Sequence, residues 1–404
     1  MEATEDDRAG GAIRRAAEVL LASLQLGLSS FGGPIAHLGY FERAYVQQRK
    51  WLSGDEYASV VALCQILPGP TSSQVGFLIG LHRAGWLGAL AAWLGFTLPS
   101  ALLMVACAAV AAGAQGPLAQ SIVHGLKLVA VAVVAQAVWS MARRLCPDRA
   151  TTAIALAAAS MLLVIGGASM QLAALGVGAA AGAVLCRNGR FEGGRLSISI
   201  RPAVAWTAFG LYALLLVGMP LLARLFPHSL IALGAVFYRA GALVFGGGHV
   251  VLPLLHDAMV PGGWISDDRF LTGYGLVQAM PGPLFTLAAY LGAASSGPQE
   301  PAVGAAVAMA FIFLPGLLIA LAGVALWSRL ARHEIVRGGL TGVNAAVVGL
   351  LGAALYNPVG VTAVRGGIDV AIAIVGLALL ERWKAPPVMV VATCVVLSSA
   401  RAFG

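Results

Sequence analysis

The chain has 404 residues, of which 59% are hydrophobic and only 10% charged. A soluble globular domain carries about 25% charged residues, so most of this surface does not face water and a soluble enzyme or binding domain is excluded. The net charge of +8 comes from 22 Arg and three Lys. No basic and aromatic cluster forms a nucleic-acid surface, and Lys and Arg collect in cytoplasmic loops of membrane proteins.

In chain order, residues 1–15 are acidic and then basic, with no small-residue cleavage site. They read as a cytoplasmic N-terminal tail rather than a removable signal peptide. Residues 16–186 form a first transmembrane repeat, 187–230 a linker with a basic loop and one apolar helix at 203–223, and 231–404 a second repeat. The stretches 150–166, 203–223, 303–327 and 366–380 carry almost no charge, and a membrane-spanning helix needs roughly 20 apolar residues. The five cysteines are scattered without C-x-x-C spacing and read as membrane-core residues.

The repeats keep register. Phe31-Gly32-Gly33-Pro34 returns 214 residues later as Phe245-Gly246-Gly247-Gly248, and Pro68-Gly69-Pro70 returns 213 residues later as Pro281-Gly282-Pro283. Trp51-Leu52-Ser53-Gly54-Asp55 matches Trp264-Ile265-Ser266-Asp267-Asp268, Gln65 matches Gln278, Leu98-Pro99 matches Leu314-Pro315, and Gly125-Leu126 matches Gly339-Leu340. Two hydrophobic copies broken by Gly and Pro at matching places describe an inverted-repeat transporter.

Charge supports the inversion. The loop 113–117 is uncharged while its counterpart holds Arg329, Arg332 and Arg337; 143–149 holds three arginines while 356–366 has only Arg365; Gly166-Gly167 is neutral while its counterpart holds Arg382 and Lys384. Equivalent loops therefore face opposite sides, with 143–149, 187–201, 328–338 and 381–385 cytoplasmic. The loop 35–52 carries Arg43, Arg49 and Lys50. It lies outside if 54–82 is one broken span, and can lie inside if 54–82 is a re-entrant hairpin and 16–34 also fails to cross. The favoured count is six spans, a linker span and six more, about 13 in an all-α polytopic membrane protein of two inverted-topology repeats with Pro-Gly-broken helices.

Pro68 and Pro70 lack backbone donors and Gly69 adds freedom, so a helix arriving at Leu67 stops there. Pro70 suits the start of the next helix, whose free N–H groups and positive dipole end stand beside Thr71, Ser72 and Ser73. Such termini bind anions, and broken backbone at membrane depth is tolerated where it is buried or lines a cavity. Pro281, Gly282 and Pro283 repeat the break with one hydroxyl, Thr286, nearby. The glycines of Phe31–Pro34 and Gly246–Gly248 permit close backbone approach or a second break, beside Ser29, Ser30 and His249. Lys127 and Arg239 fall near mid-span, where a cation costs roughly 2.5–3.5 kcal/mol; Glu18 and Asp369 lie near segment ends, so the countercharge is either an anionic substrate or, equally, a structural pair or a water-filled vestibule. Asp55, Glu56, Asp267 and Asp268 read as helix caps. His37, His82, His124 and His249 have no metal spacing, and neither a metal nor another cofactor is expected.

Together, Phe31–Pro34, the Trp51 and Trp264 steps, Leu67–Thr71, Phe245–Gly248, Met280–Pro283 and Val343-Asn344-Ala345-Ala346-Val347-Val348-Gly349 resemble the CHR family of chromate ion transporters, long-chain two-domain type. The resemblance covers nearly the whole chain from residue 16. It implies a carrier in the bacterial inner membrane that exports chromate, with related oxyanions such as sulfate as ligands or competitors, and adds Asn344 to the substrate-binding candidates. The first repeat lacks the Val343–Gly349 form, reading Leu128–Val134 behind Lys127, so the two repeats' roles are unequal. Moving one charge through 100 mV is worth roughly 2.3 kcal/mol; a dianion leaving a negative-inside cell gains about twice that. The expectation is a secondary transporter, driven by potential or a proton gradient, with chromate, the lipid bilayer and a second copy in a homodimer as partners. A transporter of sulfate or another small anion is the alternative. An enzyme is not expected, because no nucleotide loop, flavin fingerprint or metal cluster appears.

Overall fold

The computed structural model describes residues 5–113, 116–186, 198, 200–295, 297, 300–330 and 333–403. Arg332 and the part of the expected basic loop at 187–197 lie outside them. Among the described residues the chain is helical, with no strand.

The first repeat begins with α1 (Glu5–Ser29), α2 (Gly33–Phe41) with a π-helical extension (Glu42–Gln48), and α3 (Gly54–Ile66). Ser53 caps α3: its hydroxyl accepts from the Glu56 amide (3.3 Å) and Glu56 Oε2 accepts from the Ser53 amide (2.8 Å). The cap accounts for Glu56. After Pro68-Gly69-Pro70 comes α4 (Thr71–Gly113), which turns back on itself at Ala84 and Gly85 (φ 64°, ψ −152°). The two arms of α4 touch so closely that a methyl on Gly80 would lie 2.3 Å from the Gly88 carbonyl oxygen. Then follow α5 (Pro117–Leu145), α6 (Arg149–Val164) and α7 (Ala168–Leu185). The linker helix is α8 (Pro202–Leu225).

The second repeat restates this order with α9 (Leu230–Leu243), α10 (Val251–Met259), α11 (Asp267–Gln278), α12 (Leu287–Ala294), α13 (Pro301–Leu330) and α14 (Glu334–Ala354). It closes with a single turn, α15 (Val361–Ala363), then α16 (Gly367–Glu381) and α17 (Pro387–Phe403). The tight contact of the α4 arms recurs between α12 and α13, where a methyl on Gly292 would meet the Gly304 carbonyl oxygen at 2.3 Å.

Among the described residues five helices are long and apolar enough to cross a membrane, at 71–113, 117–145, 202–225, 301–325 and 334–363, so the chain is a multi-pass membrane protein. The expected count of thirteen spans is not confirmed by these five; each broken-helix segment is a pair of helices joined at a glycine or Pro-Gly-Pro break. Arg83, at the α4 turn, donates to Glu18 of α1 (3.1 Å) and lies over the Trp51 ring between α2 and α3 (5.5 Å). Those chain turns therefore share one end of the molecule. From there α1 runs alongside the second arm of α4 until Gly27 meets Gly95 and Phe96. On the outer side of that arm Leu87, Leu90, Leu94, Leu98 and Leu102 are exposed at helical spacing, an apolar stripe suited to lipid.

The repeats are interleaved. α6 and α7 pack on α14 of the second repeat, while α16 and α17 pack on α5 of the first. Small residues make this possible. Gly178 and Gly182 of α7 lie against Gly338 and Gly342 of α14, and a methyl on Gly342 would fall 2.0 Å from the Gly178 carbonyl oxygen. On the matching flank a methyl on Gly125 would fall 2.7 Å from Val395 Cα.

Candidate functional site

The glycines that break each repeat occupy matching conformations. Gly32 and Gly246 have φ of 98° and 75°, Gly33 and Gly247 79° and 147°, Gly69 and Gly282 117° and 88°. These are values that residues with a Cβ rarely adopt. Each Pro-Gly-Pro corner then docks on the other repeat. The Gly69 amide donates to the Val244 carbonyl (2.7 Å), and the Gly282 amide donates to the Ser30 carbonyl (2.8 Å). Val244 and Ser30 stand just before the two Phe-Gly-Gly motifs, so one interaction is made twice with the repeats exchanged.

Beside this crossing lies a cavity of about 560 Å³. Its walls are α3 (Ala62, Leu63, Gln65, Ile66), the far end of α5 (Gln136, Ala137, Ser140, Met141, Arg144, Leu145) and the start of α14 (Arg337, Leu340, Thr341, Asn344). Three helix beginnings complete it: Gly32 and Pro34 before and within α2, Gly246 to His249 leading into α10, and Thr71 opening α4. Helix beginnings carry unpaired N–H groups and a partial positive charge. Arg144 donates to the Gly246 carbonyl (3.4 Å), tying α5 to the glycine loop. The His249 ring is held by Tyr274, whose hydroxyl lies 2.8 Å from Nδ1. Asn344 Oδ1 and Arg337 Nε are buried without a hydrogen-bond partner among the described residues. The polar lining is thus two arginines, His249, amides and hydroxyls, with no carboxylate among the described residues. Among the described residues no three His, Cys, Asp or Glu are grouped to hold a metal ion.

Of the substrate-binding candidates read from sequence, Gly32, Pro34, Thr71, Gly246, Gly247, Gly248, His249 and Asn344 meet at this cavity. Phe31, Gly33, Pro68, Gly69 and Pro70 do not line it; they flank it or support it from behind. Gln74 fixes the corner, donating to Pro68 (2.8 Å) and Gly316 (2.9 Å) carbonyls. Ser72 and Ser73 are buried, and Ser72 Oγ lies 3.4 Å from His37 Nδ1. Pro281, Gly282 and Pro283 lie away from the cavity; Gly282 faces Phe96, Ser100 and Gly27. Thr286 of that repeat is turned into a buried hydrogen bond with Ser100 (2.7 Å).

The two mid-span cations stand elsewhere. Lys127 is buried and ion-paired with Asp268, a residue the sequence suggests only as a helix cap. Asp369 is taken by His124 (2.9 Å) and by the Arg365 amide (2.8 Å). Arg239 borders a separate small void with Gln171 and Leu254. The cavity cations are instead Arg144 and Arg337, together with Gln65, Gln136, Ser140 and Thr341. The doubled Gln65 and Gln278 were a usable signal for the first of the four polar residues. The others lie on helices whose inward faces sequence periodicity does not single out.

A family model described as chromate transporter matches residues 17–185 and 231–399. The chain belongs to the chromate transporter family. A chromate transport protein of Pseudomonas aeruginosa is 29% identical over 89% of this chain and 86% of its own length. A probable chromate transport protein of Synechococcus elongatus is 27% identical over 89% of this chain and 88% of its own. A chromate transport protein of Cupriavidus metallidurans is 26% identical over 91% and 88%. No solved structure matches this family member.

Proposed function

We propose that this chain is a secondary transporter that exports chromate across the bacterial inner membrane, taking the anion into the cavity between α3, α5 and α14. The observation that carries the reading is a chamber lined by Arg144 and Arg337, by three helix beginnings and, among the described residues, by no acidic side chain. Arginine and helix N-termini both favour oxyanions. At roughly 30 Å³ per liquid water, about 560 Å³ accepts a tetrahedral dianion with part of its hydration shell. Chromate is preferred over sulfate as the cargo because three relatives that match over most of their length carry chromate in their names and none carries sulfate.

The topology proposed with it has nine crossings: the second arm of α4, α5 to α8, α13, α14, α16 and α17. The pairs α1–α2, α3 with the first arm of α4, α9–α10 and α11–α12 enter and leave on one side. Loop 35–52 is then cytoplasmic, as its charge suggests. Four crossings per repeat is an even number, so the single helix α8 turns the second repeat upside down. The cavity lies between the end of α5 and the start of α14, both next to arginine-rich loops, and so opens to the cytoplasm. That is the side from which an exporter loads. Two charges leaving a negative interior gain about twice 2.3 kcal/mol per 100 mV, which drives efflux with or without a coupled proton.

The test is transport in proteoliposomes at set pH and potential, with chromate and sulfate in competition. Chromate should move toward the positive side and outcompete sulfate. Movement of sulfate alone, or accumulation of chromate by right-side-out rather than inside-out vesicles, defeats the reading.

A further inference from the structure

The two repeats meet this pathway in opposite ways. Gly275 of α11 packs on α5 so tightly that a methyl there would lie 2.4 Å from the Leu126 carbonyl oxygen. In register, Gly275 corresponds to Ala62 of α3 and Leu126 to Leu340 of α14. Ala62 and Leu340 both line the cavity, and α3 and α14 do not pack on each other as α11 and α5 do. One related contact is shut and its mate is open.

The neighbouring residues repeat the contrast. Lys127, next to Leu126, is ion-paired with Asp268 at the start of α11. Their counterparts are Thr341, which lines the cavity, and Asp55, which is exposed. Lys127, Val134 and Met141 recur every seven residues, close to two helical turns, and so share one side of α5. Met141 lines the cavity while Val134 is fully buried. Lys127 therefore lies on the continuation of the cavity wall, beyond the point where the pathway is sealed.

We propose that the α5–α11 contact is the closed gate of this carrier and that Lys127 changes partner when it opens. It is held by Asp268 here; in the opposite-facing state it is released to line the second mouth, in the place that Thr341 has in the first. An anion arriving from the chamber then meets a cation freed from its carboxylate. The α3–α14 gap closes as the α5–α11 contact parts, because the related helices exchange arrangements. This rests on the chain being an alternating-access carrier, and not on which anion it carries.

The test uses full-length protein with its five native cysteines replaced by alanine, a background first shown to transport. Ala62→Cys with Leu340→Cys should form a disulfide during turnover, arrest transport, and release it on reduction. Failure to cross-link in a transporting protein overturns the gate. Separately, Asp268→Asn should free Lys127 and shift the population. Labelling of Thr341→Cys by an impermeant thiol reagent from the cavity side should slow by about threefold, and labelling of Leu126→Cys from the far side should rise as much. Unchanged rates from both sides overturn the role of Lys127. Reversing the pair, Lys127→Asp with Asp268→Lys, should restore the parent rates. Because labelling is read without chromate, a protein that labels as expected yet moves no chromate overturns the substrate assignment alone.

Discussion

The Gly69 amide reaches across the molecule to the Val244 carbonyl at 2.7 Å, and in doing so seats the Pro-Gly-Pro corner of one repeat on the glycine loop of the other. The corner has no slack. A methyl on Gly69 would lie 2.7 Å from Gly316 Cα, and φ there is +117°. Its counterpart Gly282 has its nearest obstacle, the Phe96 carbonyl oxygen, at 3.2 Å. Gly69→Ala should therefore destabilise by about 1–3 kcal/mol, and Gly282→Ala by less. Melting of the two purified variants in the same detergent measures the order; equal melting points would contradict it.

A second pair of substitutions tests the interleaving. Gly342→Ala places a methyl 2.0 Å from the Gly178 carbonyl oxygen, whereas the nearest atom to a methyl on neighbouring Gly339 is 3.5 Å away. Forcing α7 and α14 apart should cost about 1–3 kcal/mol, with Gly339→Ala close to neutral. The comparison is clean because both positions lie in the same stretch of α14 and gain the same helix propensity.

Arg144 and Arg337 should carry the attraction for the anion. Charge-assisted hydrogen bonds are worth about 1.5–3 kcal/mol, so Arg337→Gln should raise the apparent KM for chromate by roughly ten- to a hundredfold in inside-out vesicles. Arg144→Gln should do so too, and should also loosen the Gly246 loop it holds. Arg239→Gln, away from the cavity, should leave KM within about twofold.

The Lys127–Asp268 pair predicts a stability order that charge counting does not. Lys127 is 3% exposed and Asp268 66% exposed along their side chains. Asp268→Asn strands a buried cation, while Lys127→Met with Asp268→Asn strands nothing. The double variant should melt above Asp268→Asn, although both should transport poorly. A double variant that melts lowest would mean the pair is not the partner Lys127 depends on.

The sequence carried the duplication, the four glycine and proline breaks and eight cavity residues, because positive φ and missing donors leave unmistakable residue types. The span boundaries were less legible. Residues 54–82 have the length and apolarity of one interrupted span, and the reversal at Ala84 and Gly85 is made without proline, marked only by His82 and Arg83 before it. Charge at 35–52 hinted at the hairpin, but that choice depends on 16–34 also failing to cross. Arg144 and Arg337 escaped notice because they sit beside basic loops, where arginine is ordinarily a topology signal. The partner of Lys127 escaped notice for a different reason: Asp268 stands 141 residues away, at a helix start where aspartate already has a local explanation.

The exchange of helix pairs between the repeats has a bearing on biogenesis. When α6 and α7 enter the bilayer, the surface they will finally grip, α14, is still to be synthesised; α5 likewise waits for α16 and α17. Domains ordinarily fold as units in order of synthesis, but here neither half can mature ahead of the other. The translocon must release an unfinished first half into lipid, and a truncated chain ending near residue 230 would present bare, glycine-notched helices to the membrane's quality-control proteases.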